Sequence, residues 1–247
     1  MPGTKLMAIR EGDVGNQKNS KTTFAPLAVW AMAVATAVAL GTSQYFIWYY
    51  APVEQTMGVV QKIFYLHLPL AWWALVSFFL VFVGSVGVLW KKSPRMDALA
   101  GAAAELGVLW SGLALVTGML WAKPAWNTWW TWDPRLATTL VMWFVYAAYL
   151  VLRGSGLPPE KRRFLCAVLG IVAFVDVPLV FLSARLWRSI HPSVIASKSG
   201  GLEPEMWTTV VVCLCAWGAL FAFLLALRWR QYTHAQRLQS LVATLNH

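Results

Sequence analysis

Residues Leu106–Thr139 read LGVLWSGLALVTGMLWAKPAWNTWWTWDPRLATT: an uncharged apolar stretch to Trp121, then a polar segment crowded with tryptophan, then a second apolar run. A hydrocarbon core of about 30 Å needs about 20 helical residues at 1.5 Å each. The first run, taken from residue 99 to 121, meets that length, so this stretch reads as one membrane span, an interfacial connection and the start of the next span. Working outward by the same rule gives six runs, at 26–49, 66–90, 99–121, 136–152, 164–184 and 206–228. The whole chain supports this reading, with 59% apolar and 12% charged residues among 247, against about 45–50% and about 25% in soluble domains. The expected fold is an all-α integral membrane protein, a bundle of six transmembrane helices. It divides into an N-terminal tail (1–25), the membrane domain (26–229) with a Trp-rich loop at 121–135, and a C-terminal tail (230–247). The first apolar run is too long for the core of a cleaved signal and is read as a retained span.

Positive charge sets the expected orientation, because short loops rich in Lys and Arg are held in the cytoplasm. The two tails and the second and fourth loops hold 14 of the 20 basic residues. The first, third and fifth loops hold Lys62, Lys123, Arg135, Arg185, Arg188 and Lys198. Both termini are therefore expected in the cytoplasm, and the Trp-rich loop outside. The net charge of +10 is scattered over short loops in a pattern that topology explains, which argues against nucleic-acid binding.

Chemistry is expected on the outer side. Cys166, Cys213 and Cys215 fall inside apolar runs and suit neither a disulfide nor an exposed dithiol; Cys213 and Cys215, two apart, point to different helix faces. Of four histidines, His234 and His247 fall in the C-terminal tail. His67, in KIFYLHLPLAWW, and His191, in RLWRSIHPSV, sit at the outer ends of the second and fifth spans. Singly, each reads as a polar helix-end residue; as a pair, they have the chemistry of two axial imidazoles on a haem iron. Trp126, Trp129, Trp130 and Trp132 offer flat apolar surface for a porphyrin, and equally the composition of an interfacial aromatic belt, which Trp30, Trp48, Tyr49, Tyr50, Trp90 and Trp229 also fit. Arg135 suits a haem propionate or a lipid phosphate. Asp133 suits a loop-holding role through N–H donors. Asp176, deep in the fifth run, is either a functional intramembrane acid or a protonated partner for backbone freed by Pro178.

The stretch quoted above, with KIFYLHLPLAWW and a His-Pro pair after the fifth span, resembles the CcmC family of haem-handling proteins of bacterial cytochrome c maturation. The likeness runs from about residue 50 to 230. It implies an inner-membrane haem chaperone rather than an enzyme, binding haem b non-covalently on the periplasmic face. By motif, His67 and His191 would be axial ligands, and Trp126, Trp129, Trp130 and Trp132 the platform, completed by Asp133 and Arg135. Implied partners are the periplasmic haem chaperone CcmE, the ATP-binding-cassette subunits CcmA and CcmB, the small subunit CcmD and membrane lipid. Asn127 departs from the family motif, where glycine is usual. A b-type electron-transfer cytochrome and a haem-translocating permease subunit are the alternatives. The first expects histidines facing across the bundle, the second a polar path through the membrane.

Overall fold

The computed structural model describes residues 26–187 and 202–245. Seven α-helices carry the six expected spans: α1 (Pro26–Tyr45), α2 (Phe64–Lys91), α3 (Pro94–Trp126), α4 (Pro134–Arg153), α5 (Pro159–Ala173), α6 (Asp176–Leu186) and α7 (Pro204–Leu245). A π-helical turn, Phe46–Tyr50, ends α1, and a 3-10 turn, Val59–Ile63, leads into α2. No strand occurs among the described residues beyond one isolated bridge between Glu54 and Gly58. In that connection, the amides of Met57 and Thr56 donate to the Glu54 carboxylate and hold its pKa below the usual value. Five helices open on proline, at Pro26, Pro94, Pro134, Pro159 and Pro204; the first helical position has no carbonyl for an N–H to reach, so the missing donor costs nothing there.

α2 and α3 form the central antiparallel pair, joined through Lys92 in the left-handed region, whose N–H bonds Val88 O at 2.9 Å. Small residues bring their axes together, as expected where lipid offers no contrast to drive helices into contact. A Cβ on Gly84 would lie 2.9 Å from that of Ala100, and one on Gly107 2.5 Å from the Phe78 ring. Phe78 in turn stacks on Tyr146 of α4 at 3.8 Å, and Trp110 packs edge-on against Trp217 and Phe221 of α7. α1 is peripheral, packed mainly on α7 and exposing Leu27, Trp30, Val34 and Val38.

Two features differ from the expected spans. The fifth is not one helix: it breaks at Phe174–Val175, between α5 and α6. Pro178 has no N–H for the Phe174 carbonyl four residues back, which accepts instead from Val177 N at 3.1 Å. Asp176 therefore opens α6, where a carboxyl favours the helix dipole, and its Oδ2 is buried without a hydrogen-bond partner among the described residues. The sixth span does not stop near residue 228 but continues as helix to Leu245, about 63 Å in all. Partners on other helices hold this extension. Arg228 pairs with Glu105, which also accepts from Tyr232 Oη at 2.6 Å, and Gln236 Nε2 donates to Asp97 Oδ2 at 2.9 Å. Asp97 is itself paired at 2.8 Å with Arg153, the last residue of α4; Asp97 is buried and the Arg153 side chain is only 9% exposed. A second guanidinium nitrogen of Arg153 donates to the Asp97 carbonyl at 2.7 Å.

Candidate functional site

At the opposite end of the bundle, α3 runs through Pro124 to Trp126, and α4 begins at Pro134, so only residues 127–133 of the Trp-rich stretch are non-helical. Asn127 ends α3 with φ 56° and ψ 21°, a left-handed conformation open to glycine and, among side-chain residues, best to asparagine. The departure at Asn127 thus keeps the backbone geometry glycine would serve. It adds an acceptor, since Lys123 Nζ bonds Asn127 Oδ1 at 3.0 Å and its carbonyl at 3.2 Å. Asn127→Gly is expected to be close to neutral and Asn127→Val to destabilise by about 1–2 kcal/mol, measurable by thermal unfolding in detergent.

From Asn127 the chain turns through Thr128, whose hydroxyl donates to Trp130 O at 2.9 Å. Trp121 meets Trp126 edge-on at 5.0 Å, and Trp130 meets Trp132 likewise at 5.8 Å. Trp129 and Trp132 remain 55% and 77% exposed, more than a packed core would leave. Asp133 is the N-cap of α4, its Oδ1 accepting from Arg135 N at 3.0 Å, so it holds the loop as its position suggests. Trp121 Nε1 and Thr131 Oγ1 are buried without hydrogen-bond partners among the described residues. Beneath the segment lies an apolar groove of about 770 Å³, open along one side and bounded by Trp130, Trp132, Trp143 of α4 and one face of α3. That volume is within the ~300–1,000 Å³ usual for small-molecule sites.

His67 enters from α2. It is the fourth residue of that helix, two before Pro69, and its Nδ1 lies 3.0 Å from Ala114 O and 3.1 Å from Thr117 Oγ1 of α3. A carbonyl only accepts, so Nδ1 carries the proton and Nε2 the lone pair of the neutral ring. Gly118 makes the approach possible, because a Cβ there would lie 3.2 Å from His67 Cε1. His67 is thus not beyond a helix end: it faces α3 two turns before that helix finishes. Its α3 partners (Ala114, Thr117, Gly118) and the groove lining (Val108, Gly112, Leu115, Met119) centre on opposite sides of the helix at 100° per residue. The structure therefore brings Trp130 and Trp132 together over the groove and places His67 on the core side of α3. His191, Arg188 and Lys198 lie outside the described residues.

Two groups escaped the sequence reading. Lys62, counted there as a loop cation, is buried with its Nζ donating to Trp48 O at 3.1 Å and 5.3 Å from that indole's centroid; only its spacing of five from His67 hinted at a role inside the fold. The Ala114/Thr117/Gly118 cradle gave no signal, apart from a Thr-Gly pair in an otherwise apolar run.

Fold and site together define a multi-pass helical membrane protein whose Trp-rich connection closes one end of the bundle above a half-buried, hydrogen-bonded histidine. The chain belongs to the CcmC family, whose model, described as heme exporter protein C, matches residues 13–244. Relatives bearing the name heme exporter protein C include that of Bradyrhizobium diazoefficiens, 29% identical over 93% of this chain and 87% of its own length. Those of Rhodobacter capsulatus (31%, over 89% and 91%) and Escherichia coli K12 (30%, over 71% of each) are similar.

Proposed function

We propose that the chain handles haem for cytochrome c maturation, binding haem b non-covalently at the Trp-rich end of the bundle and presenting it to the chaperone CcmE. The observation that carries this reading is the anchored imidazole of His67. A ligating histidine typically donates its second ring N–H to a carbonyl, fixing tautomer and ring plane, and the Nδ1 contact with Ala114 O is of that kind; in this reading Nε2 is the atom that meets iron. Family membership supports it, as do the exposed Trp129 and Trp132 faces and the buried Trp121 N–H without an acceptor, which suits a ligand bringing carboxylates. In this reading, His191 supplies the second axial imidazole. Trp126, Trp129, Trp130 and Trp132 shield the porphyrin, Asp133 fixes the loop, and Arg135 meets a propionate. The distribution of Lys and Arg orients both termini to the cytoplasm and the site to the periplasmic side of the inner membrane, where CcmE would dock; CcmA, CcmB and CcmD would complete the complex.

The test is transfer: haem-loaded protein in detergent is mixed with apo-CcmE and the two are separated. Haem is expected to leave with CcmE, and haem that stays put would count against presentation. Gly118→Val is expected to displace the His67 ring and weaken haem binding about 10- to 100-fold, the range for losing an orienting contact of a ligand, with the helical circular dichroism unchanged.

One observation favours a second reading, a b-type cytochrome: His67 packs between two helices rather than past their ends. Rapid, reversible reduction of the bound haem by quinol, with no transfer to CcmE, would select it.

A further inference from the structure

The break between α5 and α6 holds an acid that the proposed haem site does not use. Phe174 stacks on Phe82 at 4.5 Å and lies against Phe79 at 6.0 Å, while Tyr146 of α4 stacks on Phe78 at 3.8 Å. Phe78, Phe79 and Phe82 belong to one turn midway along α2, so Tyr146 and the break lie at the same depth, far from either end of the bundle. Tyr146 and Val177 also share one buried cluster. There, Asp176 Oδ2 and Tyr146 Oη are both buried without a hydrogen-bond partner among the described residues, and they stand within electrostatic reach of each other. Two such atoms, too far apart to bond directly, suit a bridging water.

Tyr146 is also the inner end of a polar line. Tyr146, Tyr149 and Arg153 follow at i, i+3 and i+7 on one face of α4, with the two tyrosines 0% and 1% exposed. Arg153 donates to Tyr149 Oη at 3.5 Å and pairs with Asp97, which meets Gln236 where the bundle ends. From Arg153 to Tyr146 the helix rises about 10 Å. We infer that Asp176 is a proton-binding site in the middle of the bundle, filled from the Arg153 end by way of the Tyr149 and Tyr146 hydroxyls and water between them. A phenol both donates and accepts. As one O–H bond breaks and another forms on the carboxylate, each hydroxyl takes the next proton in line and ends as it began; water at the Arg153 end supplies the proton. Among the described residues no ion pair reaches Asp176. α2 meets the break with phenylalanine, α4 with Tyr146, and the last turn of α5, residues 170–173, is apolar. An ionised carboxylate is costly at that depth, and the N-terminus of α6 offsets only part of the cost, so the neutral acid prevails while the anion stays accessible to exchange.

The test uses infrared difference spectra of the full chain in nanodiscs at neutral pH. Wild type minus Asp176→Asn is expected to show the C=O stretch of a protonated carboxyl, and the shift of that band on moving from H2O to D2O reports proton exchange. Tyr146→Phe and Tyr149→Phe each delete one hydroxyl and keep the ring that packs. The band should remain in both, while exchange slows at least about tenfold, a fraction of the ~10²–10⁴-fold that a positioned proton carrier supplies. Tyr45→Phe, on the exposed face of α1, should exchange at the wild-type rate. Absence of the band from wild type would show an ionised Asp176 and overturn the inference. A band that exchanges equally fast in wild type and both variants would bring the proton by another route and overturn it too. Circular dichroism checks folding, and if Tyr146→Phe alone loses its helices, Tyr149→Phe carries the same comparison. The readout involves no haem, so its failure is separable from that of the haem-handling reading.

Discussion

His67→Ala is expected to lower haem affinity by about 100-fold or more, exceeding the 10- to 100-fold usual for losing a group that merely orients a ligand, and to do so without unfolding the bundle. The imidazole bonds α3 through one carbonyl and one hydroxyl, contacts worth about 1 kcal/mol each in net terms, too little to hold the α2–α3 pair together. Its removal leaves space beside Gly118 that added imidazole can enter, so partial recovery of pigment with imidazole is expected of the variant and not of wild type. Thr117→Val should weaken binding far less, because the Ala114 carbonyl still orients the ring. The measurement is the absorption spectrum of the purified proteins from cells making ample haem, alongside His191→Ala. A bis-imidazole spectrum retained in both single variants would remove the ligand assignment.

The second large effect belongs to stability and to the other end of the bundle. The Arg153 and Asp97 side chains are only 9% and 8% exposed, and Gly101 gives the guanidinium room: a Cβ there would lie 2.3 Å from Arg153 Nε. Removing one partner leaves the other as an uncompensated buried charge, so Arg153→Met or Asp97→Ala should each cost about 3–5 kcal/mol. Replacing both with apolar residues of similar volume, Arg153→Met with Asp97→Leu, should recover much of the loss, since burying either charge opposes folding. Breaking the exposed Glu160–Arg163 pair is the control and should cost less than about 1 kcal/mol. Unfolding in detergent with increasing denaturant compares the four proteins. Single variants no worse than the control would show that the buried pair is not what ties α3 to α4.

The pattern of apolar runs was sufficient to read six spans, although the helices open earlier than the runs, on Pro94, Pro134, Pro159 and Pro204. The break at Phe174–Val175 was not legible, although Pro178 stood in the sequence, because hydropathy registers side chains and the break is a matter of one backbone carbonyl. The helix beyond Arg228 was missed for a related reason. Apolarity ends there, but Tyr232 and Gln236 find acceptors on Glu105 and Asp97, more than 120 residues away in sequence. At the site, tryptophan content and the pair His67 and His191 were visible, the second lying outside the described residues. That His67 and the groove lie on opposite sides of α3 was not, since it depends on how α2 is set along α3. Asn127, an oddity as sequence, becomes an ordinary left-handed helix end once its φ is known.

α1 has its main packing partner in α7, the last helix of the chain. Ribosomes add about 5–20 residues per second, so the 159 residues from Tyr45 to Pro204 represent roughly 8–30 s in which α1 is in the membrane without that partner. During that interval, the bond from Lys62 to the Trp48 carbonyl and the packing of Ile47 and Ala51 near Tyr65 can hold its far end. The direction in which α1 is threaded must then be kept by its own flanking charges while the rest of the protein is still being made. Neutralising Lys18 and Lys21 would in consequence act on biogenesis, through inverted chains, and leave the stability of correctly inserted protein untouched.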